Sequence, residues 1–264
     1  MGIDEFNPAL KDILSYLSDL FDEGKGYSVI NTARSALSSF ISIKGRPCGQ
    51  DPDIVRFLRG VYNLRPALPR YTTTWNANIV LNYYREHPLG DIKTLKDLTI
   101  RTAFILALSS GQRIATLRKL KLDWINQEVN YLTIYNGALT KTSRPGKHQA
   151  ELKFQVFDGS PNICVVNYLN LYLERTKQLR SPGSNLFISF QKPHKNVSTD
   201  TLARWIKLVM KNAGINTTTF KAHSTRSALS AKLKGEGERI DTIMNIVGWS
   251  NEKTFAKFYD KPIC

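Results

Sequence analysis

The feature that most constrains the fold of this chain is a set of four side chains spread over its C-terminal part. His223 and Arg226 stand three residues apart, Trp249 follows a glycine, and Tyr259 lies ten residues further on. Residues at positions i and i+3 of a starting helix share one face, so the first two side chains can reach one bound group. These four groups can serve a common reaction only if they lie together. The fold therefore has to bring the indole of Trp249 and the phenol of Tyr259 to the same place.

An imidazole, guanidinium groups, an indole and a phenol match the needs of phosphoryl transfer on a phosphodiester. The transition state spreads negative charge over non-bridging oxygens, and the planar guanidinium of Arg226 can grip two of them. Arg113, in Gly111-Gln112-Arg113, supplies a second guanidinium. A tyrosine has a pKa of about 10, so it needs this clamp and a proton acceptor such as His223. The indole N–H of Trp249 adds a donor, and the scheme requires neither a metal nor a cofactor.

The positive charge of the chain is concentrated in its second part. The net charge is +15. Residues 1–92 hold ten Lys and Arg against ten Asp and Glu, whereas residues 93–264 hold 27 against 12, so the second part carries the whole excess. A large field of one sign usually serves steering or binding. The distribution predicts that the second part binds a polyanion.

The composition is that of a folded protein without a membrane segment. A chain of 264 residues can form two domains with separate cores, and 42% hydrophobic with 22% charged residues is an ordinary globular balance. No apolar run reaches 18 residues, and the first residues lack the pattern of a signal peptide. The three cysteines have no metal-ligand spacing, which predicts free thiols in a reducing compartment.

The first part of the chain is predicted to be a small helical domain. Apolar residues recur at steps of three and four over residues 8–24, 28–41, 51–61 and 74–84, the spacing of amphipathic helices. Prolines interrupt the chain between the third and fourth helices, and Pro88-Leu89-Gly90 ends the fourth. We therefore place a helical domain at residues 1–89 and a linker at residues 90–95.

The second part, residues 96–264, is predicted to be mostly helical with a small sheet. Two segments alternate between apolar and polar residues, which indicates antiparallel strands at residues 131–135 and 150–156. Helical spacing recurs at residues 98–108, 115–120, 163–178, 201–212, 224–233, 240–247 and 251–259. The fold class that follows is α+β, with helices in the majority.

Residues 96–264 resemble the catalytic domain of the tyrosine recombinase (phage integrase) family. The resemblance rests on Gly111-Gln112-Arg113, Lys141-Thr142, His223-Ser224-Thr225-Arg226, Gly248-Trp249 and Phe258-Tyr259-Asp260-Lys261-Pro262. More narrowly, these motifs resemble recombinases of eukaryotic mobile elements, the DIRS-like retrotransposons and the Cryptons. Residues 1–89 are similar to the core-binding, DNA-clamping domain of the family in length, position and helicity.

The resemblance implies an enzyme that cleaves and rejoins DNA through a 3′-phosphotyrosyl intermediate. In that scheme Tyr259 attacks the scissile phosphate, Arg113 and Arg226 stabilise its charge, His223 takes the phenol proton or holds the phosphate, and Trp249 donates to a phosphate oxygen. The general acid is expected in the turn between the two predicted strands. Lys141 is the first choice there, and Arg144, Lys147 and His148 in the same turn are its rivals.

The resemblance also implies the partners of the chain. Double-stranded DNA is the expected substrate, with a dimer on one site and a tetramer in synapsis, no cofactor, no membrane, and a nuclear location if the host is eukaryotic and an intracellular one if it is not. A basic face is predicted on the helix at residues 201–212, opposite its apolar face. The predicted DNA contacts are Arg144, Lys147, Arg204, Lys207, Lys211 and Lys221.

Two alternatives stay open at this point. A DNA-binding protein derived from a mobile element would keep the fold and the charge without turnover. A type IB topoisomerase would share the tyrosine and arginine chemistry but would relax DNA as a monomer. Other chemistries lack their motifs, because the sequence contains no glycine-rich phosphate loop, HExxH, CxxC or Gly-x-Ser-x-Gly.

Overall fold

The protein is α+β and mostly helical, as predicted. The computed structural model describes residues 8–66, 71–139, 143, 145–146, 151–249 and 252–264. The chain divides into two compact units, Met1–Arg70 and Tyr71–Cys264. Each unit has a hydrophobic core of its own, so each is described separately.

The described residues of the smaller unit form three α-helices and a short hairpin. These are α1 (Leu10–Asp22), α2 (Tyr27–Leu37), β1 (Ser42–Ile43), β2 (Arg46–Pro47) and α3 (Pro52–Leu64). The three helices confirm the predicted ones, and α3 begins where Asp51 accepts a hydrogen bond from the amide of Asp53. The hairpin was not predicted. Its turn places Lys44 and Gly45 at φ of 48° and 75°, the twist that a two-residue hairpin favours.

The larger unit combines helices with a three-stranded antiparallel sheet. Its elements are α4 (Ala77–Glu86), α5 (Leu95–Ser110), α6 (Ile114–Lys119), β3 (Ile125–Gln127), β4 (Tyr131–Ile134), β5 (Leu152–Gln155), α7 (Val165–Thr176), α8 (Thr199–Asn212), α9 (Thr225–Gly235), α10 (Ile240–Val247) and α11 (Glu252–Phe258). The strand order is β3-β4-β5, with Ile134 opposite Leu152. The predicted strand pair is confirmed, and β3 adds an edge strand that the sequence pattern did not separate from its surroundings.

Helix α5 forms the centre of the larger unit. It is buried along almost its whole length, from Leu98 to Leu108, and it packs against α7, α8 and α9. Apolar residues occur all around it, among buried polar ones such as Thr99 and Arg101, which is the pattern of a helix enclosed by others. This packing fixes the place of its C-terminus and of the residues that follow.

Helix α4 packs into the larger unit, although the sequence placed it in the first domain. Trp75, Val80 and Tyr84 are fully or almost fully buried in the larger core, and the rings of Trp75 and Tyr84 both contact Phe104 of α5. The compact units divide between Arg70 and Tyr71, so α4 belongs to the larger one. An amphipathic stripe shows that a helix buries one face, but it does not show which core receives that face.

Two further sequence expectations concern cysteines and membranes. Cys48 and Cys164 are buried free thiols, and Cys264 is an exposed one. Within the described ranges, no helix combines the length and the apolar character that a bilayer crossing requires.

Candidate active site

The C-terminus of α5 positions the first arginine. Gly111 caps the helix in the left-handed conformation, at φ of 57°, and Arg113 follows as the N-cap of α6. A Cβ on Gly111 would come within 2.7 Å of Val247 and 2.9 Å of Leu229, so the turn requires glycine for its space as well as for its conformation. This tight turn directs Arg113 out of the core, where it is half-buried.

The start of α9 positions the histidine and the second arginine. His223 lies in a single 3-10 turn just before the helix, and Arg226 lies in the first turn of α9 itself. Arg226 is 1% exposed, and its guanidinium donates to the main-chain carbonyls of Gly111 and, at 3.3 Å, Val247. The second arginine is therefore fixed between the C-termini of two other helices, α5 and α10.

The tryptophan and the tyrosine enclose the guanidinium from the other side. Gly248 caps α10 in the left-handed conformation and turns Trp249 inward, where it is 8% exposed. The ring of Tyr259, just after α11, lies 4.3 Å from the Trp249 ring between centroids. The guanidinium carbon of Arg226 is 5.0 Å from the centroid of Trp249 and 5.5 Å from that of Tyr259.

The histidine contacts the tyrosine directly. Nε2 of His223 and the hydroxyl oxygen of Tyr259 are 3.1 Å apart, although the residues are 36 positions apart in the chain. In the tautomer whose Nε2 is unprotonated, the phenol donates to the imidazole. This is the geometry that removal of the phenol proton requires.

The electrostatics of the site keep the imidazole neutral. The pKa of His223 is lowered to about 4, first by partial burial of the ring and then by the charges of Arg226 and Arg113. His223 as a whole residue is exposed, so its burial is incomplete, and the charges of the two guanidinium groups add to the effect of burial. At neutral pH the ring is uncharged and is able to accept a proton.

Arg226 carries a buried charge that no carboxylate of the described residues neutralises. Its pKa is lowered to about 10, first by burial, an effect that Tyr259 opposes and that the charge of Arg113 reinforces. Among the described residues, no carboxylate forms an ion pair with it. Nε of Arg226 and Nε1 of Trp249 are buried donors without a hydrogen-bond partner in the described parts of the chain. An oxyanion that reached these groups would offset the charge and accept from the donors.

The structure brings together five of the six residues that the sequence singled out for catalysis. These are Arg113, His223, Arg226, Trp249 and Tyr259. The sixth, Lys141, belongs to the connection between β4 and β5, as expected, but its position lies outside the described residues. Arg144, Lys147 and His148 of the same connection also lie outside them.

The remaining predicted DNA contacts lie on α8 and just before α9. Arg204 and Lys211 are exposed and Lys207 is half-buried, while Leu202 and Ile206 on the opposite face of α8 are fully buried. Helix α8 therefore has the basic face that the sequence predicts. The ammonium of Lys221, two residues before His223, donates to the carbonyls of Thr217 and Thr218 at 3.2 and 2.8 Å.

The sequence did not reveal the groups that hold the site residues in place. The carbonyls of Gly111 and Val247 accept from Arg226, and main-chain acceptors leave no signature in a sequence. Trp75 donates to Ser224, a residue 149 positions away, and no local pattern could have paired them.

Solved structures of recombinases share the fold. A structure of the Tn1549 transposon integrase with transposon right end DNA superposes with a TM-score of 0.63 at 17% identity, over 98% of this chain and 82% of that one. The XerH site-specific recombinase, bound to palindromic difH substrate as a post-cleavage complex, gives 0.61 at 14% identity, over 93% and 67%. A lambda integrase dimer bound to a COC′ core site gives 0.53 at 18% identity, over 96% of this chain and 64% of that one. These likenesses identify the class of fold, that of the tyrosine recombinases.

The sequence itself identifies the family. Residues 89–262, more than half of the chain, match the family model described as the phage integrase family. The chain belongs to the phage integrase family. No curated protein matches it in sequence.

Proposed function

We propose that this protein cleaves and rejoins double-stranded DNA through a covalent 3′-phosphotyrosyl intermediate. The observation that carries the proposal is the buried guanidinium of Arg226, which has no carboxylate partner among the described residues and lies beside the Tyr259–His223 contact. A buried charge of this kind is costly unless an anion completes it. A scissile phosphate next to a tyrosine hydroxyl is such an anion.

The proposed reaction is a pair of in-line displacements. The phenol oxygen of Tyr259 forms a bond to phosphorus, and the bond from phosphorus to the 5′ oxygen breaks. His223 takes the phenol proton, and Arg113 and Arg226 stabilise the charge on the non-bridging oxygens. In the reverse step a 5′ hydroxyl attacks the phosphotyrosine, so rejoining needs no cofactor.

Two more groups complete the proposed mechanism. The indole N–H of Trp249 has no hydrogen-bond partner among the described residues, which supports a role as donor to a phosphate oxygen, and its ring packs against that of Tyr259. Lys141 would donate the proton that the leaving 5′ oxygen takes up. That role follows from the family resemblance of its motif and from its place between β4 and β5.

Binding of the duplex is assigned to the basic second part of the chain. The face of α8 with Arg204, Lys207 and Lys211 suits contacts to the phosphate backbone, which need charge more than a fixed geometry. Lys221, Arg144 and Lys147 are proposed as further contacts. We also propose that the helices of residues 1–89, which are those of the smaller unit together with α4 of the larger one, clamp the duplex.

The oligomeric state, the origin and the location of the protein are proposals as well. The lambda integrase has been seen as a dimer on a core site and as a tetramer on a Holliday junction, which supports a dimer on one site and a tetramer in synapsis for this chain. The similarity to the Tn1549 transposon integrase supports an origin in a mobile element. The narrower resemblance to DIRS-like and Crypton recombinases, and with it a nuclear location, stays a prediction.

A nicked suicide substrate tests the proposal. The nick lets the short strand beyond the cleavage site diffuse away, so the covalent intermediate accumulates and migrates as a protein–DNA adduct on a denaturing gel. We expect an adduct that links Tyr259 to a 3′ phosphate. If no adduct forms on duplexes that the protein binds, the alternative of a non-catalytic DNA-binding protein is correct.

A second substrate separates recombination from relaxation. Two labelled duplexes with the same site should exchange strands if the protein is a recombinase. A type IB topoisomerase would form the adduct and relax supercoiled DNA, but the two labels would stay on their original duplexes.

A further inference from the structure

Two of the catalytic motifs are connected by a segment that belongs to neither of them. Residues 71–75, here called the brace, precede α4 in the larger unit. Nε1 of Trp75 donates to Oγ of Ser224 at 2.8 Å, and these residues are 2% and 0% exposed. Ser224 follows His223 directly, so the brace holds the segment that carries the proton acceptor.

The brace also holds the chain that follows the nucleophile. The amide of Thr74 donates to the carbonyl of Pro262 at 2.9 Å, and the amide of Cys264 donates to the carbonyl of Thr74 at 2.8 Å. These two bonds form a parallel bridge between Thr74 and Ile263. The residues after Tyr259 are thus paired with the same five-residue segment that contacts Ser224.

A side chain strengthens this second attachment. The ammonium of Lys261 donates to the carbonyl of Tyr71 and lies 4.4 Å from the centroid of its ring. Desolvation lowers the pKa of Lys261, as expected for an ammonium that leaves water to make this contact. The brace is therefore attached to the start of α9 at one point and to the chain after α11 at two.

We propose that the brace sets the distance between His223 and Tyr259, with Trp75 as a positioning residue for both. The two reacting side chains come from separate segments, and α11, which ends one residue before Tyr259, is a helix of only seven residues. A misplacement of about 1 Å between reacting groups can cost about 100-fold in rate. Trp75 of the brace holds Ser224, next to His223, and Thr74 holds the chain after Tyr259. The brace thereby positions both residues of the 3.1 Å contact.

The first test removes the donor and keeps most of the ring. Trp75→Phe is expected to slow covalent adduct formation by about 10- to 100-fold in single turnover, while the affinity for DNA stays unchanged. The matched control is Tyr172→Phe, which removes a different buried hydrogen-bonding group of the larger unit, a hydroxyl that accepts from the amide of Ile188 at 3.1 Å. Tyr172→Phe should keep the parental rate even if its melting temperature falls as far as that of Trp75→Phe.

A double-mutant cycle separates the hydrogen bond from the lost indole volume. Ser224→Ala removes the acceptor without a change at Trp75, and it should slow the reaction to a similar extent. If both act through one bond, the double variant will be little slower than either single variant. Fully additive losses, or a single variant with the parental rate, would overturn the proposal.

The chemical role of the His223–Tyr259 pair rests on the proposed function, but the geometry of the pair can be measured without DNA. The ring protons of His223, assigned with a His223→Gln variant, report by NMR on the neighbouring Tyr259 ring, whose centroid is 6.0 Å away. Trp75→Phe should shift these resonances and Tyr172→Phe should not. Unchanged resonances in Trp75→Phe would refute the brace, whereas a parental protein that forms no adduct would refute the proposed function alone.

Discussion

The guanidinium of Arg226 donates to the main-chain carbonyl of Gly111, two residues before Arg113. A second bond reaches the carbonyl of Val247, the last residue of α10. Carbonyl groups at helix C-termini carry partial negative charge, so α5 and α10 stabilise the buried cation without neutralising it. A carboxylate in their place would cancel the charge. The arrangement leaves Arg226 positive toward a bound phosphate.

The close approach at Gly111 predicts a stability effect. Gly111→Ala adds a Cβ 2.7 Å from Val247 at a φ of 57°, so it combines backbone strain with overpacking. Gly214→Ala is the matched control, because Gly214 has a φ of 86° and open space around it. Urea unfolding should show Gly111→Ala less stable than the control by about 1–3 kcal/mol. Equal losses for the two variants would mean that the turn tolerates the extra atom.

The forked shape of the first guanidinium predicts a second effect. Arg113→Lys should slow cleavage almost as much as Arg113→Ala, by about 100- to 1000-fold, because an ammonium cannot hold two oxygens in one plane. Arg204→Lys on the exposed face of α8 is the control and should be almost silent, since a backbone contact there needs only charge. Single-turnover rates at saturating protein separate these effects from weaker binding. If Arg113→Lys cleaves at the parental rate and Arg204→Lys does not, Arg113 has been wrongly assigned to the active site.

Much of the fold could be predicted from the sequence because its signals are local. The helical stripes of α1, α5 and α8 lie within single segments, and so do the alternating strands β4 and β5. The partners of α4 could not be predicted, because the choice between two cores depends on Trp75 and Tyr84 meeting Phe104 of α5.

The candidate site divides in the same way. The motif spacing identified the side chains that converge, such as His223 and Tyr259, although their roles stay predictions. It could not identify what holds them, since a carbonyl acceptor at Gly111 has no sequence signature and the bond from Trp75 to Ser224 spans 149 residues. It also suggested His223 and Arg226 as neighbours on one helix face, whereas His223 lies in the 3-10 turn before α9 and Arg226 is fully buried.

The lowered pKa of His223 predicts how stability depends on pH. In the unfolded chain the imidazole takes up a proton near pH 6.5, whereas in the folded protein it does so only near pH 4. Above pH 6.5 both states are neutral, so this residue imposes no penalty. As the pH falls from 6.5 to 4 the unfolded state binds more protons, and the free energy of unfolding should decrease.

Urea unfolding at several pH values measures this effect. His223→Gln should flatten the decrease between pH 6.5 and pH 4, because glutamine does not titrate. Arg113→Gln should raise the midpoint of the His223 titration in NMR, since it removes one of the two nearby positive charges, whereas Arg204→Gln on α8 should leave it in place. An unshifted midpoint in Arg113→Gln would mean that Arg113 does not act on the imidazole.

The assignment of the nucleophile predicts a loss of chemistry without a loss of binding. Tyr259→Phe removes the attacking oxygen but keeps the ring beside Trp249 and Arg226, so DNA affinity should stay nearly intact while the covalent adduct disappears. A denaturing gel with labelled suicide substrate measures the adduct, and a binding titration measures the affinity. A persistent adduct in Tyr259→Phe would identify another nucleophile.

The assignment of Lys141 as general acid predicts a difference between two substrates. Lys141→Ala should strongly slow cleavage of an ordinary phosphodiester, because the leaving 5′ oxygen then departs without a proton. A substrate whose bridging 5′ oxygen is replaced by sulfur releases a thiolate that needs no proton, so Lys141→Ala should cleave it at close to the parental rate. Arg144→Ala and Lys147→Ala serve as controls from the same turn and should affect both substrates equally. If one of these variants is rescued by the sulfur substrate and Lys141→Ala is not, the general acid is that residue, and the role of Lys141 is reduced to DNA binding.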